Sequence, residues 1–254
     1  MALGSIEFHK VTIRFGSETL LNQVDLTIAP GEKVVVIGPS GQGKSVLLKL
    51  IAGIILPTSG EIRVDGKDLH RLTEVERHQL MRRMGMLFQK NALFDSLTVG
   101  ENIAFPLREA GRLEEAEIQK KVVHFLEAVG IGHARDLYPD EISGGMQKRL
   151  GIARALALDP EIILYDDPTA GLDPITSRKI IELILDLQRG AKATLVAITN
   201  DMARAYQMAD RIIMVVDHGV IVTGNVQQTK QHTDPRVHQF IRGALQGPLT
   251  EVEA

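Results

Sequence analysis

An α/β fold is predicted, with a mostly parallel sheet, an antiparallel β-subdomain on its N-terminal side and an inserted helical subdomain. Three observations carry it. The run Lys33–Ile37 (KVVVI) is a short β-branched strand, followed at once by a glycine-rich turn and then by the helical apolar spacing of SVLLKLIAG. Apolar strands at 161–165, 193–198 and 211–216 alternate with helical stretches at about 174–189 and 201–208, the order that builds parallel βαβ units. Between the two groups, residues 91–159 are mostly helical in pattern, and Glu114–Val129 is the clearest amphipathic segment.

Along the chain, residues 6–14 and 22–28 alternate enough to be strands, joined by a turn around Gly16 and Ser17. Turn residues Pro30 and Gly31 precede the strand at 33–37, whose continuous apolar character suits burial in a parallel sheet. The helix after the glycine-rich turn ends at Gly53. Residues 61–65 read as a strand, 73–83 as a polar helix, and Met84 to Gln89 as a strand again. There is no internal repeat. The expected division is a core with its β-subdomain over 1–90 and 160–225, a helical subdomain over 91–159 and a C-terminal extension over 226–254.

At 254 residues the chain can bury a sizeable core. Its composition is that of a globular protein, 44% hydrophobic and 24% charged, with a formal net charge of −3. The basic excess of a protein that neutralises nucleic-acid phosphates is missing, so nucleic acid is not expected as a partner. With no cysteine, disulfides, thiolate metal sites and a cysteine nucleophile are excluded, and a reducing compartment fits. The start MALGSIEFHK lacks the basic and then apolar regions of a signal peptide. The most apolar stretch, Val46–Pro57, is too short to span a bilayer and carries Lys49. A cytosolic placement without direct membrane insertion is expected, so any membrane association would come through a partner.

Gly38-Pro39-Ser40-Gly41-Gln42-Gly43-Lys44-Ser45 matches G-x-x-x-x-G-K-[ST] in full, between a strand and a helix as that motif requires. Glycines let the backbone curl so that N–H groups face phosphate oxygens, and the helix that runs on through Val46 adds its positive end. Lys44 is expected to reach the β- and γ-phosphates, and the Ser45 hydroxyl to coordinate Mg²⁺. A second motif, Ile162–Asp166 (IILYD), is a buried strand that delivers a carboxylate to its C-terminal edge. Alone it is weak evidence; downstream of the loop, Asp166 becomes the expected holder of the Mg²⁺ shell.

Ile142-Ser143-Gly144-Gly145-Met146, followed by Gln147-Lys148-Arg149, resembles the LSGGQ signature of ABC ATPases. Gln89, closing Met86-Leu87-Phe88-Gln89, resembles that family's Q-loop glutamine, with a role at the metal and the attacking water. Pro168 and Ala170-Gly171-Leu172-Asp173 resemble its Pro-loop and D-loop, and Phe15 stands where the family stacks an aromatic on adenine. The motifs occur in the family's order over nearly the whole chain. The resemblance implies Mg-ATP as ligand, ATP hydrolysis coupled to transport, and a head-to-tail homodimer. Ser143, Gly144 and Gly145 of one copy would then complete the γ-phosphate site of the other.

Two positions depart from the family pattern. Asp167 stands where the family usually has the glutamate that polarises the attacking water. One methylene less retracts the carboxylate by roughly 1.5 Å, about one C–C bond, and misplacements of that order cost about 10²-fold in rate. Asn200, in Thr199-Asn200-Asp201, replaces the switch histidine; it donates a hydrogen bond but carries no proton or charge. Three accounts follow: a slow but true ATPase, a nucleotide-gated clamp with little turnover, or the weaker half of an unequal pair. The histidines (His9, His70, His78, His124, His133, His218, His232, His238) are not expected at the end of a core strand, so no substitute is predicted.

Several stretches are also similar to the ATPases of Mla/Mce-type phospholipid transporters of bacterial envelopes. They are Met86–Phe94, Phe105-Pro-Leu-Arg-Glu109, Leu126–Gly130, Asp173-Pro-Ile-Thr176 and the tail Asp234–Phe240 continuing to Gly247-Pro248. This similarity implies a membrane permease, an Mce substrate-binding protein, in some systems a STAS-domain protein, and a place on the cytoplasmic face of the inner membrane. Residues 90–108 would receive the permease's coupling helix, with Ala92, Leu93 and Phe94 as apolar floor, and the tail beyond 234 would pack on the dimer. A small-solute importer is the alternative of nearest kind.

Overall fold

The computed structural model describes residues 3–88, 92–188 and 193–250. Along them the strands are β1 (Ile6–Phe15), β2 (Glu18–Ile28), β3 (Lys33–Ile37), β4 (Ser59–Val64), β5 (Lys67–Asp68), β6 (Met84–Leu87), β7 (Ile162–Asp166), β8 (Thr194–Ile198), β9 (Arg211–Val216) and β10 (Gly219–Gly224). The α-helices are α1 (Lys44–Ile51), α2 (Glu74–Met81), α3 (Val99–Ala110), α4 (Glu115–Ala128), α5 (Gly144–Leu156), α6 (Pro174–Gln188), α7 (Met202–Met208), α8 (Val226–Lys230) and α9 (Pro235–Arg242). Two compact units divide the chain: one runs to Arg77 and resumes at Thr194, and the other is His78–Ala193.

The first unit holds an antiparallel sheet in the order β2-β1-β4-β5. β1 breaks its alternation at Lys10, whose φ of +47° accompanies a register shift between Phe8 and Val11, a bulge of the kind that bends and twists a strand. The Asp25 carboxylate accepts the Lys10 N–H at 2.9 Å. A second group of strands is centred on β3, which pairs in parallel with β8 on one side and β9 on the other. Val34 to Ile37 are fully buried, as expected for a strand covered on both faces.

β10 runs antiparallel to β9 through a two-residue turn, Asp217-His218. Both turn residues have positive φ, +48° and +62°, the signature of the turn that matches strand twist in a tight hairpin. The sequence pattern missed β10, because Asp-His lacks the usual glycine of such turns. His218 lies two residues past the end of β9, a core strand, and the Asn22 N–H donates to its backbone carbonyl at 2.7 Å.

In the second unit β6 and β7 pair in parallel, and α5 runs so close to β6 that a Cβ on Gly85 would lie 2.1 Å from the Ala155 carbonyl oxygen. Asn102 on α3 is fully buried. It accepts from the Phe94 N–H at 2.9 Å and donates toward the carbonyls of Phe94, Leu97 and Thr98 at 3.0–3.1 Å. That one side chain pins the 94–98 turn to its helix. Among the described residues no helix is long and apolar enough to cross a membrane.

Tyr165 on β7 is fully buried, and among the described residues its hydroxyl finds no hydrogen-bond partner. An unsatisfied buried hydroxyl costs about 1–3 kcal/mol. Tyr165→Phe is therefore expected to raise stability by about 1 kcal/mol in urea titrations.

Within the C-terminal extension Asp234 is the N-cap of α9 and receives Arg236 Nε at 3.1 Å and Nη2 at 2.6 Å. The side-chain hydrogen bonds from Arg236 are the main reason the Asp234 carboxyl is held at about 2, below its ordinary 3.8. The folded chain thus binds this proton less readily than the unfolded one. The stabilisation is complete above about pH 4 and is lost as pH falls toward 2. Acid titrations of the native chain and Asp234→Asn should differ most above pH 4 and converge toward pH 2.

Candidate functional site

In the first unit the glycine-rich loop leaves the C-terminal end of β3 and enters α1 at Lys44. Its shape is set by a close approach. Gly38 has φ +137°, and a Cβ there would sit 2.2 Å from the Val215 carbonyl oxygen of β9, so only glycine lets the loop lie on that strand. The N-cap of α1, Gly43, provides no side-chain hydrogen bond, and the first N–H groups of the helix remain for an anion. Lys44 is buried, and its ammonium donates to the carbonyls of Gly38 at 2.6 Å and Pro39 at 2.7 Å. The loop is thus wrapped around this cation. Ser40 and Gly41 are exposed, and Pro39, Gln42, Ser45 and Val46 half-buried.

Asn200 falls at the same sheet edge. β8 is the parallel neighbour of β3, Val36 faces Ile198, and the Thr199 N–H donates to the Val36 carbonyl at 3.2 Å. Asn200 is exposed in the turn that follows. Asp201 caps α7 by accepting the Arg204 N–H, which gives this aspartate a structural role. Phe15, at the end of β1, is 51% exposed, so it is a surface aromatic and not a core one.

In the second unit β7 carries four buried residues and then the half-buried Asp166 at its C-terminal end. Asp167 follows with φ +49°, a left-handed conformation that aspartate tolerates better than most residues. Lys148 on α5 is 5% exposed. Burial pushes its ammonium below the usual lysine range, while the Asp167 and Asp166 carboxylates pull it back up. Sequence reasoning passed over Lys148. The available signal was a lysine sharing the buried helical face of Ile152 and Ala155.

Ser143 is the N-cap of α5, its Oγ accepting the Met146 N–H at 3.3 Å, and Gly144 opens the helix. Asp173 opens α6 in the same manner, accepting from the Ile175 N–H at 2.9 Å and from Thr176 N–H at 3.0 Å. Hydrogen bonds from Thr176 hold its carboxyl below the usual aspartate range. The two helix starts share a cavity of about 520 Å³, lined in part by Ser143, Gly145, Arg149, Asp173, Thr176 and Lys179. The structure thereby joins the signature and the Ala170–Asp173 turn, which the sequence could only order. Gln89, expected at the metal, lies outside the described residues.

The model of one family, described as ABC transporter, matches residues 21–170. That span takes in the phosphate loop, the signature and the β7 carboxylates. The chain belongs to the ABC transporter family. It is 40% identical over 96% of its length to the intermembrane phospholipid transport system ATP-binding protein MlaF of Haemophilus influenzae, covering 92% of that protein. The MlaF protein of Escherichia coli (strain K12) is 36% identical, with 96% of this chain and 91% of that one covered. The probable ribonucleotide transport ATP-binding protein mkl of Mycobacterium tuberculosis (strain ATCC 25618 / H37Rv) is 40% identical over 96% of this chain and 68% of its own length. Among solved structures, a dimeric post-hydrolysis state of the ATP-binding cassette MJ0796 with ADP and Pi superposes with a TM-score of 0.78 at 35% identity. It covers 85% of this chain and 96% of that one. The fold is that of an α/β ABC cassette, and the chain is an ABC-type ATPase.

Gly38→Ala should force the loop off β9. A loss of about 1–3 kcal/mol in stability is expected from the overlap, together with loss of binding to a fluorescent ATP analogue in titrations of the folded variant.

Proposed function

We propose that this ABC cassette binds Mg-ATP through residues 38–46 and hydrolyses it slowly to power phospholipid transport through a membrane permease. The phosphate loop carries the reading: its wrapped Lys44, side-chain-free helix start and glycine contact on β9 fit a polyphosphate. The cargo assignment rests on the MlaF relatives, alike along 96% of the chain.

Each side chain has a task in this scheme. Lys44 balances β- and γ-phosphate charge, Phe15 stacks on the purine, and Ser45 and Asp166 hold Mg²⁺, with Gln89 assigned to the same shell. The metal supplies charge neutralisation on the phosphates when bound. Asp167 orients and deprotonates the attacking water, and Asn200 donates a hydrogen bond to a phosphate oxygen. Both are weaker tools than the residues the family usually places there, so the expected loss falls on turnover and not on affinity. Ser143, Gly144 and Gly145 act on the ATP of a second, head-to-tail copy, and the N-terminus of α5 supplies the partial positive charge.

The permease is assigned to the surface around Phe94 and Phe105. These exposed rings stand 4.9 Å apart, with the Arg154 guanidinium 5.5 Å from the Phe94 centroid, and Asn102 holds the turn that carries Phe94. The chain is accordingly placed peripherally on the cytoplasmic face of the inner membrane, with an Mce protein and a STAS-domain protein as further members of the system. The mkl relative, as similar as MlaF of H. influenzae in identity, favours a second reading in which the cargo is a small polar solute. Co-purification with the permease separates the two, since an Mce protein and phospholipid fit the first and a solute-binding protein the second.

Steady-state Mg-ATP hydrolysis by the chain with its permease tests the activity, beside Lys44→Ala and the double change Asp167→Glu with Asn200→His. Native turnover that Lys44→Ala abolishes is expected, with the double change at least about tenfold faster. Equal silence of native and Lys44→Ala, with activity gained in the double change, would instead make the chain a nucleotide clamp or the weaker half of an unequal pair.

A further inference from the structure

We infer that Asp217 and Arg236 are positioning residues for the phosphate loop, through which the C-terminal extension sets ATP affinity. This rests on the reading of residues 38–46 as the nucleotide site.

Gln42 stands at the crown of the loop, between two glycines in left-handed backbone, Gly41 at φ +81° and Gly43 at φ +93°. Flanked by such residues, the crown has little stiffness of its own. Its brace comes from elsewhere in the unit: the Asp217 N–H donates to Gln42 Oε1 at 3.0 Å. Asp217 is the first residue of the β9–β10 turn, in which it and His218 are both left-handed, and that turn holds the Asp217 N–H toward the loop. Neither residue favours that conformation as glycine does.

The Asp217 carboxylate is held in turn. Arg236 Nη1 donates to Asp217 Oδ2 at 2.8 Å, while its Nε and Nη2 fork onto Asp234. Arg236 belongs to the first turn of α9 and Asp234 is its N-cap. One aspartate therefore touches the phosphate loop with its backbone and the extension with its side chain. The base of the same loop is fixed on the same strand, where Gly38 meets Val215, so a shift of the hairpin reaches both ends of the loop.

The pair is 33% exposed at Arg236 and 62% at Asp217, and water screens it. The effect is accordingly that of one hydrogen bond, about fivefold in affinity. Displacement of α9 by anything that binds the extension would lower ATP affinity by that factor without touching a phosphate-contacting residue.

The test is a titration of the full chain with a fluorescent ATP analogue and Mg²⁺, for Arg236→Ala, Asp217→Asn, Gln42→Ala and their pairwise combinations, with melting temperatures alongside. Asp217→Asn keeps the N–H and tolerates the left-handed turn but removes the ion pair. Both Arg236→Ala and Asp217→Asn should weaken binding about fivefold, with no further loss when combined. In the Gln42→Ala background each should cost less than about twofold, and Arg236→Lys should recover part of the loss. Losses as large without the Gln42 side chain as with it would mean general destabilisation, and unchanged affinity in both single variants would remove the brace; either overturns the proposal. Lys44→Ala serves as the reference. If it binds the analogue like the native chain, the nucleotide reading itself fails, a result distinct from failure of the brace alone.

Discussion

The phosphate loop of this protein is a turn pressed onto the backbone of a neighbouring strand, and that contact governs the first unit. A Cβ at Gly38 would stand 2.2 Å from the Val215 oxygen, so the loop can lie there only with no side chain between. The contact is possible because β8, β3 and β9 are parallel and in register, with Val36 beside both Ile198 and Ile213. Parallel strands deliver their C-terminal ends to one edge, where ligands collect in such sheets. Positions as distant in sequence as Gln42, Asn200 and Asp217 consequently share that edge. The strands supply little chemistry themselves; their continuous burial fixes register, and register fixes what stands at the edge.

The second unit answers a different demand, which is to place carboxylates and a buried ammonium together in apolar surroundings. Asp166 ends a strand whose other four residues are buried, and Lys148 puts an ammonium into the same region at 5% exposure. Isolated, either charge would be costly there; together they offset one another, and removal of one would strand the other. The pull of Asp167 and Asp166 on Lys148 is opposite in sign to that of burial, and the net lowering says that desolvation is the larger effect. Asp167 thus combines a short side chain, a left-handed backbone and a cation on the signature helix. A glutamate would reach further but carries more conformational freedom. What sets this position apart from a glutamate is therefore reach and not charge.

Contiguous features were legible in the sequence. The phosphate loop, the signature and the IILYD strand each declare themselves within a few residues, because the backbone groups they organise belong to the same segment. The parallel pairing around β3, though not the order of its strands, followed from the alternation of strand and helix. Features that depend on distant partners were not legible. The bulge at Lys10 needs Asp25, the burial of Lys148 needs the end of β7, and the brace on Gln42 needs a hairpin some 175 residues away. β10 was missed for a local reason, since Asp217-His218 takes two positive φ angles without a glycine. The acidic N-cap of α9 and the fork of Arg236 onto it could have been read from Asp-Pro-Arg, but not the reach of that arginine to Asp217.

That reach also explains why the brace is modest. A buried ion pair behind the loop would be rigid, and its rupture would cost several kcal/mol, leaving the nucleotide site unable to respond to the extension in graded fashion. A half-exposed pair acting through one neutral hydrogen bond leaves about 1 kcal/mol in play. This is small against the stability of a domain and appreciable against a nucleotide equilibrium, where each 1.4 kcal/mol is tenfold. The loop can therefore be tuned by the extension while its base stays fixed on Val215. The two contacts divide the work: Gly38 on β9 decides whether there is a site at all, and Gln42 on Asp217 decides how tightly it closes.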